Sequence, residues 1–211
     1  MDLVYVTKID HLYLLNLSIN YIYKYNNSFN KIYIVTSKKN FKYFKLVSEL
    51  GIVLVDENTL LPNMTLSSIK RLKLPFFPKR AGWYYQQLLK LGVSYIPDIS
   101  DDYVVLDADT ILLKKIDFKL NSKYCFLASE EYNESYFTNY YNLLKAEPFY
   151  KFSFISQYMI FNKYIVMEML DSIVSKSEIS MSWNWCIMQS LTGNTASLFS
   201  EYETYGNYIK N

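Results

Sequence analysis

Tyr103-Val104-Val105-Leu106-Asp107-Ala108-Asp109-Thr110-Ile111-Leu112-Leu113 is an apolar, β-rich run that ends on two carboxylates and then resumes as a second apolar run. Ionised carboxylates at the end of a buried strand are costly unless something compensates them. A hard divalent cation such as Mg²⁺ or Mn²⁺, which prefers oxygen ligands, is a natural compensator and still has positions open for phosphate oxygens. At the carboxyl end of a parallel strand, such a pair also stands where α/β sheets bind their ligands. The bland alternative is a solvated turn whose aspartates cap the next helix. The apolar flanks and the central position in the chain favour a functional pair.

Working towards the N-terminus, three β-rich runs precede this stretch: Leu3 to Thr7, Lys31 to Thr36 and Ile52 to Val55. Leu12 to Tyr25 between the first two is long enough for a helix. Phe41 to Leu50 between the second and third reads as another, with Gly51 as its C-terminal cap. Strand and helix in alternation predict parallel βαβ units, with helices on both faces of the sheet. Residues 59 to 78, with prolines at 62, 75 and 78, read as a loop holding one short helix. Lys79 to Leu91 reads as a helix closed by Gly92.

Beyond the acidic pair, Lys123 to Ala128 and Ser156 to Phe161 read as strands, and Lys163 to Ser175 and Trp183 to Leu191 as helices. Ser129 to Lys145 is polar and Tyr-rich, a surface helix or a lid. Phe199 to Ile209 alternates like a strand and carries Glu201 and Glu203. On a strand, these two would face the same side. The expected fold is α/β: a single domain over 1–211, with a mostly parallel central sheet flanked by helices. It divides into a Rossmann-like nucleotide-binding half (1–113) and an acceptor half (114–211), and the chain could be one domain of a longer polypeptide.

Composition removes several function classes. Net charge is +2 with both signs mixed along the 211 residues, so no basic face for nucleic acid is expected. One histidine, His11, makes a histidine-based metal site or a Ser-His-Asp triad improbable. Cys125 and Cys186, far apart in apolar runs, read as free thiols of a reducing compartment. The N-terminus has no basic segment followed by an apolar stretch, and no window is long enough to span a membrane, so a cytoplasmic location is expected. The 22 tyrosines fit AT-rich coding, or platforms on which sugar rings stack.

The D-x-D pair admits three enzymatic readings. A haloacid-dehalogenase-like phosphatase needs further acidic ligands downstream, and after Thr110 the chain offers only Asp117 and Asp171 in unrelated settings. A nucleotidyltransferase of the sugar-activating kind shows a Gly-rich loop after its first strand, whereas here the first glycine is Gly51. P-loop and dinucleotide-binding signatures are absent. The chain instead resembles GT-A glycosyltransferases, most closely at V-V-L-D-A-D-T-I-L-L. It is similar to small bacterial and large-DNA-virus enzymes that decorate surface or capsid glycans at Trp83 to Leu91, Ser156 to Asn162 and Ser200 to Tyr208.

The resemblance implies transfer of a hexosyl or deoxyhexosyl unit from a nucleotide-sugar donor, UDP-linked by family habit, to a glycan or glycoprotein acceptor. It implies Mn²⁺ or Mg²⁺ held by Asp109, with Asp107 on the metal or the ribose. Thr7, Lys8 and Asp10 would face nucleobase and ribose, Lys79 and Arg80 the diphosphate or sugar, and Gln86 and Gln87 the sugar. Retaining relatives take a metal ligand from a C-terminal histidine, which this chain lacks. An inverting reaction needs a general base, and Glu201 and Glu203 come first, before Glu130 and Glu131. The rival from another class is a nucleotide-sugar-binding module without turnover.

Overall fold

The computed structural model describes residues 1–44, 51–72, 77–149, 152–193 and 195–209. The strands are β1 (Asp2–Val6), β2 (Ile32–Thr36), β3 (Val53–Asp56), β4 (Asp102–Leu106), β5 (Lys119–Leu120), β6 (Lys123–Tyr124) and β7 (Tyr158–Asn162). Five of them form the central sheet, in the order β3-β2-β1-β4-β7. Its first four strands are parallel, and β7 runs antiparallel to β4, with Val104 opposite Ile160. The helices are α1 (Leu12–Tyr25), α2 (Leu66–Lys70), α3 (Phe77–Gly92), α4 (Glu134–Leu144), α5 (Lys163–Lys176), α6 (Trp183–Gln189) and α7 (Glu201–Tyr208). The expected α/β architecture is observed. No described helix is long and apolar enough to cross a membrane.

The core follows the period of two in the strands. Leu3, Tyr5, Ile32, Ile34, Val104, Leu106 and Ile160 point to one face, where Leu15, Ile19 and Ile22 of α1 cover them. Their neighbours Val4, Val6, Tyr33, Val35, Tyr103, Val105 and Phe161 point to the other, under α3, α5, α6 and α7. Because β1, β2, β4 and β7 are buried on both faces, they read as near-continuous apolar sequence, whereas β3 at the sheet edge is only partly buried. Much of the tyrosine content is spent here: Tyr5, Tyr33, Tyr103, Tyr140 and Tyr205 are buried. Several spend their hydroxyls internally, as Tyr5 on Ser18 (3.0 Å) and Tyr33 on the Asp98 carbonyl (3.1 Å).

Three sequence expectations need correction. Phe199–Ile209 is no strand. Ser200 caps α7, its hydroxyl accepting from Glu203 N (3.2 Å), and Phe199, Tyr202 and Tyr205 recur at helical spacing to fill the core. Lys123–Ala128 shortens to β6, which pairs with β5. The two-residue turn between them, Asn121-Ser122, has φ 49° and 64°, so the ribbon is a tight hairpin outside the main sheet. Gly92, by contrast, closes its helix as expected. It is the last residue of α3, at φ −61°, and a Cβ there would stand 2.9 Å from the Leu60 carbonyl oxygen. Of the helix expected over Phe41 to Leu50, Phe41–Phe44 belong to a 3₁₀ turn (Lys38–Phe44), and 45–50 lie outside the described residues.

Gly206 is required by packing. A Cβ on it would lie 2.4 Å from Phe154 Cδ2, so α7 can approach Phe154 only with glycine at this position.

Candidate active site

The acidic pair closes β4 in a single turn. Asp107 N donates to Gln157 O (2.9 Å), and Thr110 N donates to Asp107 O (2.9 Å). Ala108 turns into the core, which leaves the two aspartates outside it, Asp107 partly exposed and Asp109 exposed. Among the described residues Asp109 forms no ion pair.

Lys90 of α3 meets the pair from the side. Its Nζ lies 3.0 Å from Asp107 Oδ1, 2.9 Å from Glu201 Oε1 and 3.0 Å from the Tyr202 hydroxyl. It is only 6% exposed. Burial alone would lower its pKa, but Glu201, Tyr202 and Asp107 reverse this and hold it well above the ordinary lysine value. Burial, partly offset by Lys90, pushes the Tyr202 hydroxyl up. The sequence signal for Lys90 was available: Trp83, Gln86, Gln87 and Lys90 repeat at helical spacing on α3, a polar stripe amid apolar neighbours.

These groups line a cavity of about 370 Å³. His11, Trp83, Asp107, Asp109, Glu131 and Glu201 belong to its wall. Four carboxylates thus face one ammonium and one imidazole, so the cavity is net acidic. Gln87 Oε1 accepts from Glu201 N (3.1 Å), fixing the start of α7, while its buried Nε2 has no partner among the described residues.

A second cavity of about 320 Å³ lies over the carboxyl ends of β1, β2 and β3. Thr7, Lys8 and Asp10 follow β1, Thr36 ends β2 and Glu57 follows β3, with Gly82, Tyr85 and Leu89 of α3 opposite. The two cavities share Val6, His11 and Gln86, so they adjoin. Thr36 Oγ1 and Tyr85 Oη are buried without a hydrogen-bond partner among the described residues. Burial, then the adjacent Asp56, pushes the Glu57 carboxyl up.

The residues singled out in the sequence divide accordingly. Thr7, Lys8 and Asp10 line the second cavity, and Asp107, Asp109 and Glu201 the first. Arg80 stands beside the first, its guanidinium 4.6 Å over Trp83 and donating to Ser197 Oγ (3.0 Å). Lys79 is exposed and lines neither. Gln86 donates to the Val6 carbonyl (3.2 Å). Glu203 turns away, because residues two apart on a helix point about 200° apart. Its oxygens accept from Ser153 Oγ and from Phe154 N (3.1 Å), and it lines neither cavity. Asp117, paired with exposed Lys115, and Asp171 line neither as well.

No three His, Cys, Asp or Glu side chains among the described residues cluster to hold a metal ion. Asp107 and Asp109 nonetheless fit the way Mg²⁺ is commonly bound, by one or two carboxylates with substrate phosphates and water completing the shell.

The chain belongs to the family described as "Family of unknown function (DUF6492)", which matches residues 2–210. No curated protein matches it by sequence. Among solved structures it is similar to an active-site mutant of LgtC, at TM-score 0.49 and 12% identity over 90% of this chain and 70% of that one. It is also similar to galactosyltransferase LgtC in complex with donor and acceptor sugar analogs, at TM-score 0.43 and 13% identity over the same shares. At these scores function has to be read from the chain's own residues.

Proposed function

We propose that this member of DUF6492 is a metal-dependent glycosyltransferase of GT-A-like design, moving a sugar from a nucleoside-diphosphate donor to a hydroxyl of a glycan or glycoprotein acceptor. The observation that carries the reading is the pairing of two adjoining cavities. One is flanked by the ends of three parallel strands and sized for a nucleoside; the other is lined by Asp107 and Asp109. The resemblance implies Mn²⁺ or Mg²⁺, and it implies a uridine nucleotide by family habit alone, with no residue of this chain behind that choice of base. An anionic diphosphate would be repelled from a cavity with four carboxylates unless a cation joined them, which supports the metal. A cation held by Asp109 and Asp107 would supply Lewis-acid neutralisation of the departing diphosphate.

The chain's own residues do the rest. Asp10 accepts from the ribose hydroxyls. Gln87 Nε2, which has no partner among the described residues, donates to a sugar hydroxyl, and Trp83 offers a ring face to the sugar. In an inverting transfer the acceptor oxygen bonds to the anomeric carbon as the bond to the diphosphate breaks, and the diphosphate leaves with that electron pair. The hydroxyl proton passes to a carboxylate. Glu201 is assigned this role because Lys90 and the Gln87-anchored start of α7 hold it in the cavity wall.

The test is a melting panel of UDP-, GDP- and dTDP-sugars, each with Mn²⁺ or EDTA, followed by assay of free nucleoside diphosphate. A donor at 100 times its Kd should stabilise by about 2.7 kcal/mol, with Mn²⁺ only. For a chain of this size that is roughly 5–10 °C. Donor binding without nucleotide release would identify a non-catalytic module; no shift with any donor would remove the site assignment altogether.

Gly82 offers a separate check. It lines the nucleoside cavity from inside α3, and an added Cβ meets nothing within 4 Å. Gly82→Ala should stabilise the protein by roughly 0.5–1 kcal/mol, as alanine replaces glycine in a helix. The same methyl narrows the cavity, so donor affinity should fall. Melting and titration should therefore move in opposite directions.

A further inference from the structure

We infer that the nucleoside cavity is built for guanine, with Glu57 reading the base; this rests on the nucleotide-sugar reading of the site. Strand order sets the distances. Asp107 and Asp109 follow β4, Thr7 follows β1, Thr36 ends β2 and Glu57 follows β3, and these strands are consecutive neighbours in the sheet. Neighbouring strands lie about 4.8 Å apart, so Glu57 stands about three spacings, ~14 Å, from the acidic pair. A donor with its diphosphate at Asp109 lays its ribose near Asp10 and the far edge of its base towards Glu57. That edge carries the groups by which bases differ.

A carboxylate only accepts hydrogen bonds. Guanine presents two adjacent donors, N1–H and the N2 amino group, which match the two oxygens of one carboxylate in a coplanar, charge-assisted pair. Uracil presents one N–H between two carbonyl oxygens, and both carbonyls repel a carboxylate. Adenine and cytosine present an amino group beside an acceptor nitrogen, which leaves one carboxylate oxygen facing a lone pair. Guanine also has acceptors at O6 and N7. The cavity holds matching donors in the hydroxyls of Thr36 and Tyr85, both buried, both unpartnered among the described residues and both belonging to its wall. Ile9, Leu66 and Leu89 supply apolar contact for the faces of the base.

The experiment is calorimetric titration of the full chain, with Mn²⁺ present, using GDP, UDP, CDP and ADP, on wild type and Glu57→Gln. Wild type should bind GDP more tightly than the other three by on the order of tenfold to a hundredfold, the discrimination given by one bidentate base contact. Glu57→Gln should lower that preference to a few-fold while its melting temperature stays at or above wild type, because Glu57 is partly exposed beside Asp56. UDP binding as tightly as GDP, or a GDP preference that Glu57→Gln leaves intact, would overturn guanine recognition while leaving a nucleotide site in place. Failure of all four diphosphates to bind would overturn both.

Discussion

Asp109→Ala is expected to abolish metal-dependent donor binding and to reduce release of nucleoside diphosphate by at least a factor of about 10²–10³, while stability stays within about 0.5 kcal/mol of wild type. The two expectations follow from one feature. Asp109 is exposed on the turn that closes β4 and forms no ion pair among the described residues. Its removal therefore strands no buried ion-pair partner among the described residues. The assays are melting with donor and Mn²⁺ against EDTA, and nucleotide release over time. A variant that keeps its metal-dependent shift and turns over within a few-fold of wild type would show that the acidic pair is not the cation site.

Lys90→Met should have the opposite profile, a loss of stability before anything else. Lys90 lies between Asp107 and Glu201, and Glu201 is only 4% exposed. Removing one partner of a buried ion pair costs about 3–5 kcal/mol, because the remaining carboxylate keeps its desolvation penalty. In a chain of this length that lowers the melting temperature by roughly 6–20 °C. Glu201→Gln added to Lys90→Met should restore part of the loss, since it removes the stranded charge. A single-variant loss under about 1 kcal/mol would mean that water reaches the cluster. The pH dependence carries a sign. The folded pKa of Lys90 lies above the unfolded value of about 10.4. Its contribution is therefore complete below the unfolded value and is lost as pH rises through the folded one. From the Lys90 titration, the gap between wild type and Lys90→Met should hold through the neutral range and narrow in strong alkali.

Strand and helix positions were largely legible because their signals are local. The runs that begin at Leu3, Lys31 and Tyr103 are apolar through their centres, as strands covered on both faces must be, and the Leu12–Tyr25 helix appears with the expected bounds. The misreading at Phe199–Ile209 shows two local signals in competition. Alternation pointed to a strand, while Ser200-Glu201-Tyr202-Glu203 carries the Ser-x-x-Glu signature of a helix start. The helix is the form realised, because it turns Phe199, Tyr202 and Tyr205 onto one buried face. That outcome separates Glu201 from Glu203, one lining the cavity and the other holding Ser153 and Phe154.

By itself the sequence determined the α/β class, the parallel strands, and the location of Asp107 and Asp109 at a strand end, since each depends on neighbours a few residues away. Only the tertiary structure decided that Lys90, Asp107 and Glu201 form one cluster, that Glu57 joins Thr7 and Thr36 around a single cavity, and that Lys79 stays outside both. These groupings bring together residues separated by tens of positions in the chain, and no local pattern encodes them. They exist because the order of strands in the sheet and the burial of the α3 and α7 faces leave those side chains no other place to be.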